Sequence, residues 1–136
     1  MKEYLERGVN YYETDMMGIV HHSNYIRWFE EARTIWMTDS GIPYNEVEKE
    51  GVQIPVIGAS CEYKNPAKFG DIISVSTTLK ELTGVKMIVG YEVKNKETGL
   101  ILATGTTKHC FVNSEFRPIN LRKFRPEIYA KLSGIK

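Results

Sequence analysis

The segment from Tyr25 to Met37 constrains the fold more than any other part of the chain. Its bulky residues recur every three or four positions, which is the period of one face of an α-helix. These residues are Tyr25, Trp28, Phe29, Ala32, Ile35 and Trp36. A face with both tryptophans of the chain needs a large apolar partner, and in a chain of 136 residues a β-sheet is the natural one. We expect Ser23 or Asn24 to cap the start of this helix and Gly41 to mark its end.

The rest of the chain predicts that sheet. Segments rich in β-branched and aromatic residues lie at 4–12, 55–64, 72–80, 85–94 and 100–112. In residues 72–80 apolar and Ser/Thr residues alternate, which indicates one buried face and one solvated or subunit-facing face. Short turns join the later strands, and strands joined in this way pair antiparallel. The pattern therefore predicts an α+β fold with one long helix against the concave face of an antiparallel sheet.

Local signals refine this picture. Thr83-Gly84 is a candidate tight turn, and the run 95–99 reads as a hairpin loop. Gly105 lies inside the last strand, where a glycine often marks a bulge or a bend. The segment from Arg117 to Arg125 carries basic residues and no acid, so it is either a solvated tail or a contact for a phosphorylated ligand.

Composition and charge limit the remaining classes of protein. A length of 136 residues fits a single domain over residues 1–136. The formal net charge of +1 gives no overall field for nucleic acid or for an anionic membrane. No apolar run approaches the roughly 20 residues that span a bilayer, and the N-terminal segment has no apolar signal core. Two isolated cysteines, Cys61 and Cys110, are typical of buried thiols in a reducing compartment, so we expect a cytoplasmic protein.

The chemically informative segment runs from Tyr12 to Tyr25, between the first strand and the helix. Its polar residues include Asp15, His21, His22, Ser23 and Asn24. Free N–H groups at a helix start can stabilise an oxyanion, and a loop carboxylate such as Asp15 could attack the same carbonyl or activate a water for it. Taken alone, an aspartate such as Asp15 is more often a turn or capping residue than a catalytic one. No Cys/His spacing matches a zinc site, so we predict no metal and no cofactor.

The run from Tyr12 to Tyr25, YETDMMGIVHHSNY, resembles the signature of hotdog-fold thioesterases of the 4-hydroxybenzoyl-CoA thioesterase family, which includes short-chain acyl-CoA thioesterases. Residues 30–33 and 63–71 resemble the helix centre and a pre-strand turn of the same family. The resemblance implies a hotdog fold, with a five-stranded antiparallel sheet wrapped around one long helix. It also implies hydrolysis of acyl-CoA thioesters to free acid and CoA.

The same resemblance implies roles for particular residues. Asp15 matches the family's catalytic aspartate, either as nucleophile or as general base toward water. The backbone N–H groups near His22 and Ser23 would polarise the thioester carbonyl, with the His22 side chain assisting. Met16 and Met17 depart from the small or Pro residues of many relatives and would shape the acyl pocket. Candidate contacts for the CoA phosphates are Lys64, Lys68, Lys86, Lys108 and Arg117.

The same resemblance implies two kinds of partner. One is the substrate, an acyl-CoA or an acyl group on acyl carrier protein, and the other is a second copy of the chain. The resemblance implies a homodimer or homotetramer with active sites at the subunit interface. Four alternatives are weighed at this point. A hydratase or dehydratase of the same fold would need an Asp/His motif that the sequence does not show, and no positive feature supports a structural or interaction protein. An acyl-ACP thioesterase and a non-catalytic acyl-thioester sensor, which would bind without releasing a thiol, stay open.

Overall fold

The structure is a computed structural model that describes residues 2–135. Within that range five antiparallel strands form one sheet in the order β1-β3-β4-β5-β2. The strands are β1 Lys2–Gly8, β2 Val56–Tyr63, β3 Ile72–Leu82, β4 Lys86–Asn95 and β5 Ile101–Cys110. The helices are α1 Ser23–Asp39, α2 Tyr44–Lys49, α3 Leu121–Phe124 and α4 Pro126–Ser133. The later strands and the long helix match their predicted positions to within a few residues.

Helix α1 lies across the sheet and forms the centre of the core. It contacts β1, β2 and β3, and Trp28, Phe29, Ala32 and Trp36 are completely buried. Four strand residues on the facing side of β4 are buried with them, namely Met87, Val89, Tyr91 and Val93. The prediction of an α+β hotdog fold, a five-stranded antiparallel sheet around one long helix, is confirmed.

Gly105 allows the helix to approach the sheet. The Phe29 ring stacks on Tyr91 with 4.4 Å between centroids and 6° between planes. A Cβ atom at Gly105 would lie 2.5 Å from Phe29 Cε2 and also against the carbonyl oxygen of Ser60. The strand register runs through Gly105 without a shift on either side, so there is no bulge at this residue. The glycine is needed because a neighbouring ring occupies the space of its missing side chain.

The first strand is shorter than predicted. The pattern indicated a strand over residues 4–12, but β1 ends at Gly8 and a 3₁₀ turn covers Tyr11–Glu13. The Glu13 carboxylate accepts the Asn10 backbone N–H at 2.8 Å, which removes that donor from any strand pairing. A side chain that captures a nearby backbone donor competes with sheet formation, and the alternation in sequence does not reveal this.

The outer face of β3 is more buried than predicted. Ser74 and Ser76 are only 1% and 5% exposed, so a solvated or subunit-facing surface is wrong for these two residues. In the strand register Ser76 lies opposite Glu3 and Glu92. The long stems of such charged neighbours cover the short serine side chains, while their charged ends remain in water.

The C-terminal segment is folded against the core. Helices α3 and α4 bury Leu121, Ile128 and Leu132, so the interpretation as a purely solvated tail is wrong. Basic side chains remain on the outer side, where Arg125 Nε lies 3.3 Å from Glu50 Oε2. Nowhere between residues 2 and 135 does a helix combine the length and apolarity needed to cross a membrane.

A chain of polar side chains runs under helix α1. His109 Nε2 and the Tyr91 hydroxyl each lie 2.8 Å from Thr107 Oγ1, and His109 and Thr107 are at most 1% exposed. Burial, together with the nearby positive charge of Arg33, lowers the pKa of His109 to about 4. His109 is therefore neutral at physiological pH and serves the core.

We expect Gly105→Ala to lower the free energy of unfolding by about 2–3 kcal/mol, because the added methyl must displace the Phe29 ring or the backbone of β2. Gly58→Ala is the matched control, since its Cβ would meet Lys108 carbons at an ordinary 3.7 Å. Urea denaturation of both variants checks this prediction. Equal stability of the two variants would contradict it.

Acid should destabilise the protein through His109. Its folded pKa of about 4 lies below the ordinary value of 6.5, so the unfolded chain takes up the proton first. The contribution of neutral His109 to the free energy of unfolding is complete above pH 6.5. This contribution is lost as the pH falls from 6.5 towards 4. The loss amounts to about 3 kcal/mol. The free energy of unfolding, measured by denaturation across that range, should depend less on pH in His109→Gln than in the native protein. The same pH dependence in both proteins would refute the lowered pKa of His109.

Candidate active site

Asp15 lies on a tight hairpin that precedes helix α1. Its backbone N–H donates to the Ile19 carbonyl at 2.8 Å, and its carbonyl accepts the Gly18 N–H at 3.0 Å. The Asp15 Oδ1 atom accepts the Met17 N–H at 2.8 Å, so one carboxylate oxygen holds the turn. Gly18 has a φ of 78°, a left-handed conformation that suits glycine. The side chain of Asp15 is exposed, and its Oδ2 atom has no hydrogen-bond partner among residues 2–135.

The start of helix α1 differs from the predicted cap. His22 occupies the cap position without a side-chain hydrogen bond. Ser23 and Asn24 do not cap the helix, because Ser23 Oγ lies 2.9 Å from His21 Nδ1 and Asn24 Nδ2 donates to the carbonyls of Glu13 and His21. Both side chains contact the preceding segment. Their residue types are typical of helix caps, so the sequence did not indicate these contacts.

The two backbone donors predicted for the oxyanion differ in availability. The Ser23 N–H donates to His21 Nδ1 at 3.2 Å, so it already has an acceptor. The His22 N–H has no acceptor in the part of the chain that the structure describes. The His22 carbonyl accepts the Tyr63 hydroxyl at 3.3 Å, which ties the helix start to the end of β2.

A cleft of about 450 Å³ joins the Asp15 hairpin to the helix start. Its third wall is the chain that leaves β2. The lining residues are Asp15, Ile19, Val20, His22, Tyr25, Tyr63, Lys64, Asn65 and Pro66. The structure thus brings Asp15 and His22 to one cavity, whereas Ser23 lies beside it. The cleft can hold a small acyl group, with Asp15 on one side and His22 on another.

Asp15 is the one carboxylate among the described residues that line the cleft. Burial raises the pKa of Tyr25 to about 12, so this phenol stays protonated. Burial also raises the pKa of the Cys61 thiol, which disfavours the thiolate needed for nucleophilic attack. Residues 2–135 contain no group of three His, Cys, Asp or Glu side chains that could hold a metal ion.

The predicted phosphate contacts fall in two groups. Lys64 lines the cleft, with its Nζ atom 3.6 Å from Glu62 Oε2. Lys68 pairs through its backbone with Ile19, directly beside the hairpin. The remaining candidates lie outside this cleft. Lys86 Nζ lies 3.4 Å from Glu81 Oε2, and Arg117 Nε lies 3.7 Å from Glu115 Oε2. Lys108 lies opposite Gly58 in the sheet.

Several apolar side chains of the hairpin and the preceding turn are exposed. Met16 and Met17 do not line the cleft of one protomer, and their part in shaping an acyl pocket stays a prediction. Tyr11 and Phe69 are also exposed, and Tyr11 packs edge-on against Phe69 with 5.7 Å between ring centroids.

Sequence reasoning missed Glu13. This residue is 3% exposed, and its carboxylate accepts hydrogen bonds from Arg7, Asn10 and Trp28. An indirect signal existed, because a buried tryptophan usually donates its indole N–H to an acceptor. Trp28 does so, whereas the Trp36 indole N–H has no partner among residues 2–135. The sequence did not indicate which acid supplies it.

Known proteins resemble this chain over most of its length. A family model described as the thioesterase-like superfamily matches residues 9–132. The putative acyl-CoA thioesterase YneP of Bacillus subtilis is 37% identical over 119 residues, covering 88% of this chain and 86% of that protein. The acyl-CoA thioester hydrolase YbgC of Escherichia coli is 25% identical over 115 residues, covering 85% and 86%. The DHNA-CoA thioesterase of Staphylococcus aureus superposes with a TM-score of 0.88 at 30% identity, covering 95% of this chain and 87% of its own.

The chain belongs to the thioesterase-like superfamily, and the resemblance carried by residues 12–25 is confirmed. It is a thioester hydrolase with the hotdog fold.

Proposed function

We propose that this protein hydrolyses acyl-CoA thioesters to a free acid and CoA, with Asp15 as the group that drives the reaction. The observation that carries the proposal is the shared cleft of Asp15 and His22. The relatives named as acyl-CoA thioesterases support CoA as the carrier.

The proposed chemistry needs few groups. The thioester carbonyl would accept the free His22 N–H, which stabilises the oxyanion of the tetrahedral intermediate. Asp15 acts in one of two ways. As nucleophile it forms an acyl anhydride and expels the CoA thiolate, and water then hydrolyses the anhydride. As general base it takes a proton from water, the hydroxide adds to the carbonyl, and the intermediate expels the thiolate. A thiolate leaves readily, so neither route requires a strong acid.

The CoA phosphates would be bound by cations at the rim of this cleft. Lys64 and Lys68 are the candidates nearest to Asp15 in one protomer. Lys86 and Arg117 do not line this cleft, so our proposal for these two rests on a second protomer that brings them to it.

We also propose a homodimer or homotetramer. Strand β2 is an edge of the sheet, and its apolar residues Val56, Ile57 and Tyr63 are 43%, 59% and 52% exposed. An exposed apolar edge strand favours pairing with another strand. Two β2 edges could pair to extend the sheet, and the chain leaving β2 forms one wall of the cleft.

We expect the native protein to sediment at the mass of a dimer or tetramer, and Ile57→Lys to shift it towards the monomer, because a charge at the edge opposes strand pairing. Val85→Lys is the matched control, since Val85 is 58% exposed in the turn between β3 and β4. A monomeric native protein would contradict the proposed assembly.

Asp15→Asn should lower kcat at least about 100-fold for acyl-CoA substrates, because the amide cannot act as nucleophile or base. Its Oδ1 atom still accepts the Met17 N–H, so the hairpin and the melting temperature should be retained. A thiol reagent follows release of free CoA.

Asp39→Asn is the control, because Asp39 is an exposed carboxylate at the far end of helix α1. We expect its kcat to equal that of the native protein. Near-normal turnover by Asp15→Asn would refute the assignment of Asp15. Binding of acyl-CoA by the native protein without release of thiol would instead favour a sensor.

A further inference from the structure

Glu13 forms a buried junction between three parts of the fold. Its Oε1 atom accepts Arg7 Nη2 of β1 at 2.7 Å and the Asn10 N–H at 2.8 Å. Its Oε2 atom accepts Trp28 Nε1 of helix α1 at 2.9 Å. The Arg7 guanidinium also lies over the Trp28 ring, 5.6 Å from its centroid. The carboxylate thus connects the first strand, the following turn and the long helix.

Only an ionised carboxylate satisfies this arrangement. Burial of a charge is costly unless donors surround it, and here Glu13 has a cation and two N–H donors. A glutamine at this position would present one acceptor oxygen and an NH₂ group, and the NH₂ group would oppose a donor. The three hydrogen bonds therefore specify the position of Glu13 more strictly than apolar packing would.

The main chain of Glu13 holds the helix start as well. Its carbonyl accepts the His21 N–H at 2.8 Å and Asn24 Nδ2 at 3.0 Å. Asp15 follows Glu13 by two residues, and His22 follows His21 directly. Glu13 thus links the two segments that carry Asp15 and His22, and both of these residues line the cleft. Glu13 itself does not line the cleft.

We propose that Glu13 is a positioning residue, which sets the separation between the Asp15 carboxylate and the His22 N–H without contact with the substrate. This inference rests on the proposed function, because the proposed function assigns catalysis to the Asp15 carboxylate and the His22 N–H. Loss of the Glu13 charge leaves the groups of the cleft present but relaxes the segments that carry them. Misplacement of reacting groups by about 1 Å can lower turnover about 100-fold.

The experiment compares Glu13→Gln with Glu31→Gln. Arg7 Nη1 also binds Glu31 Oε1 at 3.0 Å, so the control removes the other carboxylate partner of the same arginine at an exposed site. We expect Glu13→Gln to lower kcat at least about 10-fold while KM changes less than about 3-fold. Glu31→Gln should keep native kcat and KM.

Two further measurements separate positioning from general loss of stability. Hydrogen exchange of the amides in residues 15–22 should accelerate in Glu13→Gln relative to exchange in β4 and β5. Leu132→Ala empties a buried position in helix α4, away from the cleft, and should lower the melting temperature without lowering kcat. If Glu13→Gln does not fold, Arg7→Met removes one donor and keeps the aliphatic stem, and the same loss of kcat is expected.

Native kcat in a folded Glu13→Gln variant, with Asp15→Asn still inactive, would overturn this inference and leave the proposed function intact. A loss of kcat in Leu132→Ala equal to that in Glu13→Gln would also overturn it, because the effect would then follow stability alone. Full activity of Asp15→Asn would overturn the proposed function and the inference together.

Discussion

Burial of the aromatic face of helix α1 is the constraint on which the other features depend. Trp28, Phe29 and Trp36 are completely buried, so the sheet must curve around the helix and offer them matching space. Each large side chain of this kind contributes about 2–3 kcal/mol when it leaves water. Once the helix axis is set in this way, its N-terminus can reach only the region where β1 ends and the chain leaving β2 begins. The cleft forms there because three segments meet at the helix start.

The polar groups at that end of the helix follow from the same packing. The indole N–H of Trp28 is carried into the core with its ring and needs an acceptor, which Glu13 provides at 2.9 Å. The charge of Glu13 in turn requires Arg7. Hydrogen bonds of Glu13 thus join a core residue, Trp28, to the segment that precedes Asp15. Stability of the core and geometry of the cleft are connected through this one carboxylate.

The parts of the structure that sequence predicts well are those governed by local pattern. The period of residues 25–37 gives the helix, and the alternation in β4 gives a face that is indeed buried. The errors have a different origin. Gly105 and Ser74 depend on residues distant in sequence, namely Phe29 and charged side chains on adjacent strands. The end of β1 depends on a nearby side chain, because the Glu13 carboxylate captures the Asn10 N–H. For the candidate site, the motif of residues 12–25 indicates Asp15 and His22, and the structure brings these two residues to one cleft. The engagement of the Ser23 N–H by His21 and the burial of Glu13 required the folded arrangement.

The close approach of Phe29 to Gly105 limits which substitutions this part of the core accepts. The ring and the missing side chain share one volume, and a Cβ atom at position 105 would also meet the backbone carbonyl oxygen of Ser60. A smaller residue at position 29 would therefore open a void that a side chain at position 105 could not fill without moving β2. Gly105 is thus confined from two sides, by the helix and by the neighbouring strand, and trimming the ring alone does not make room for a larger residue there.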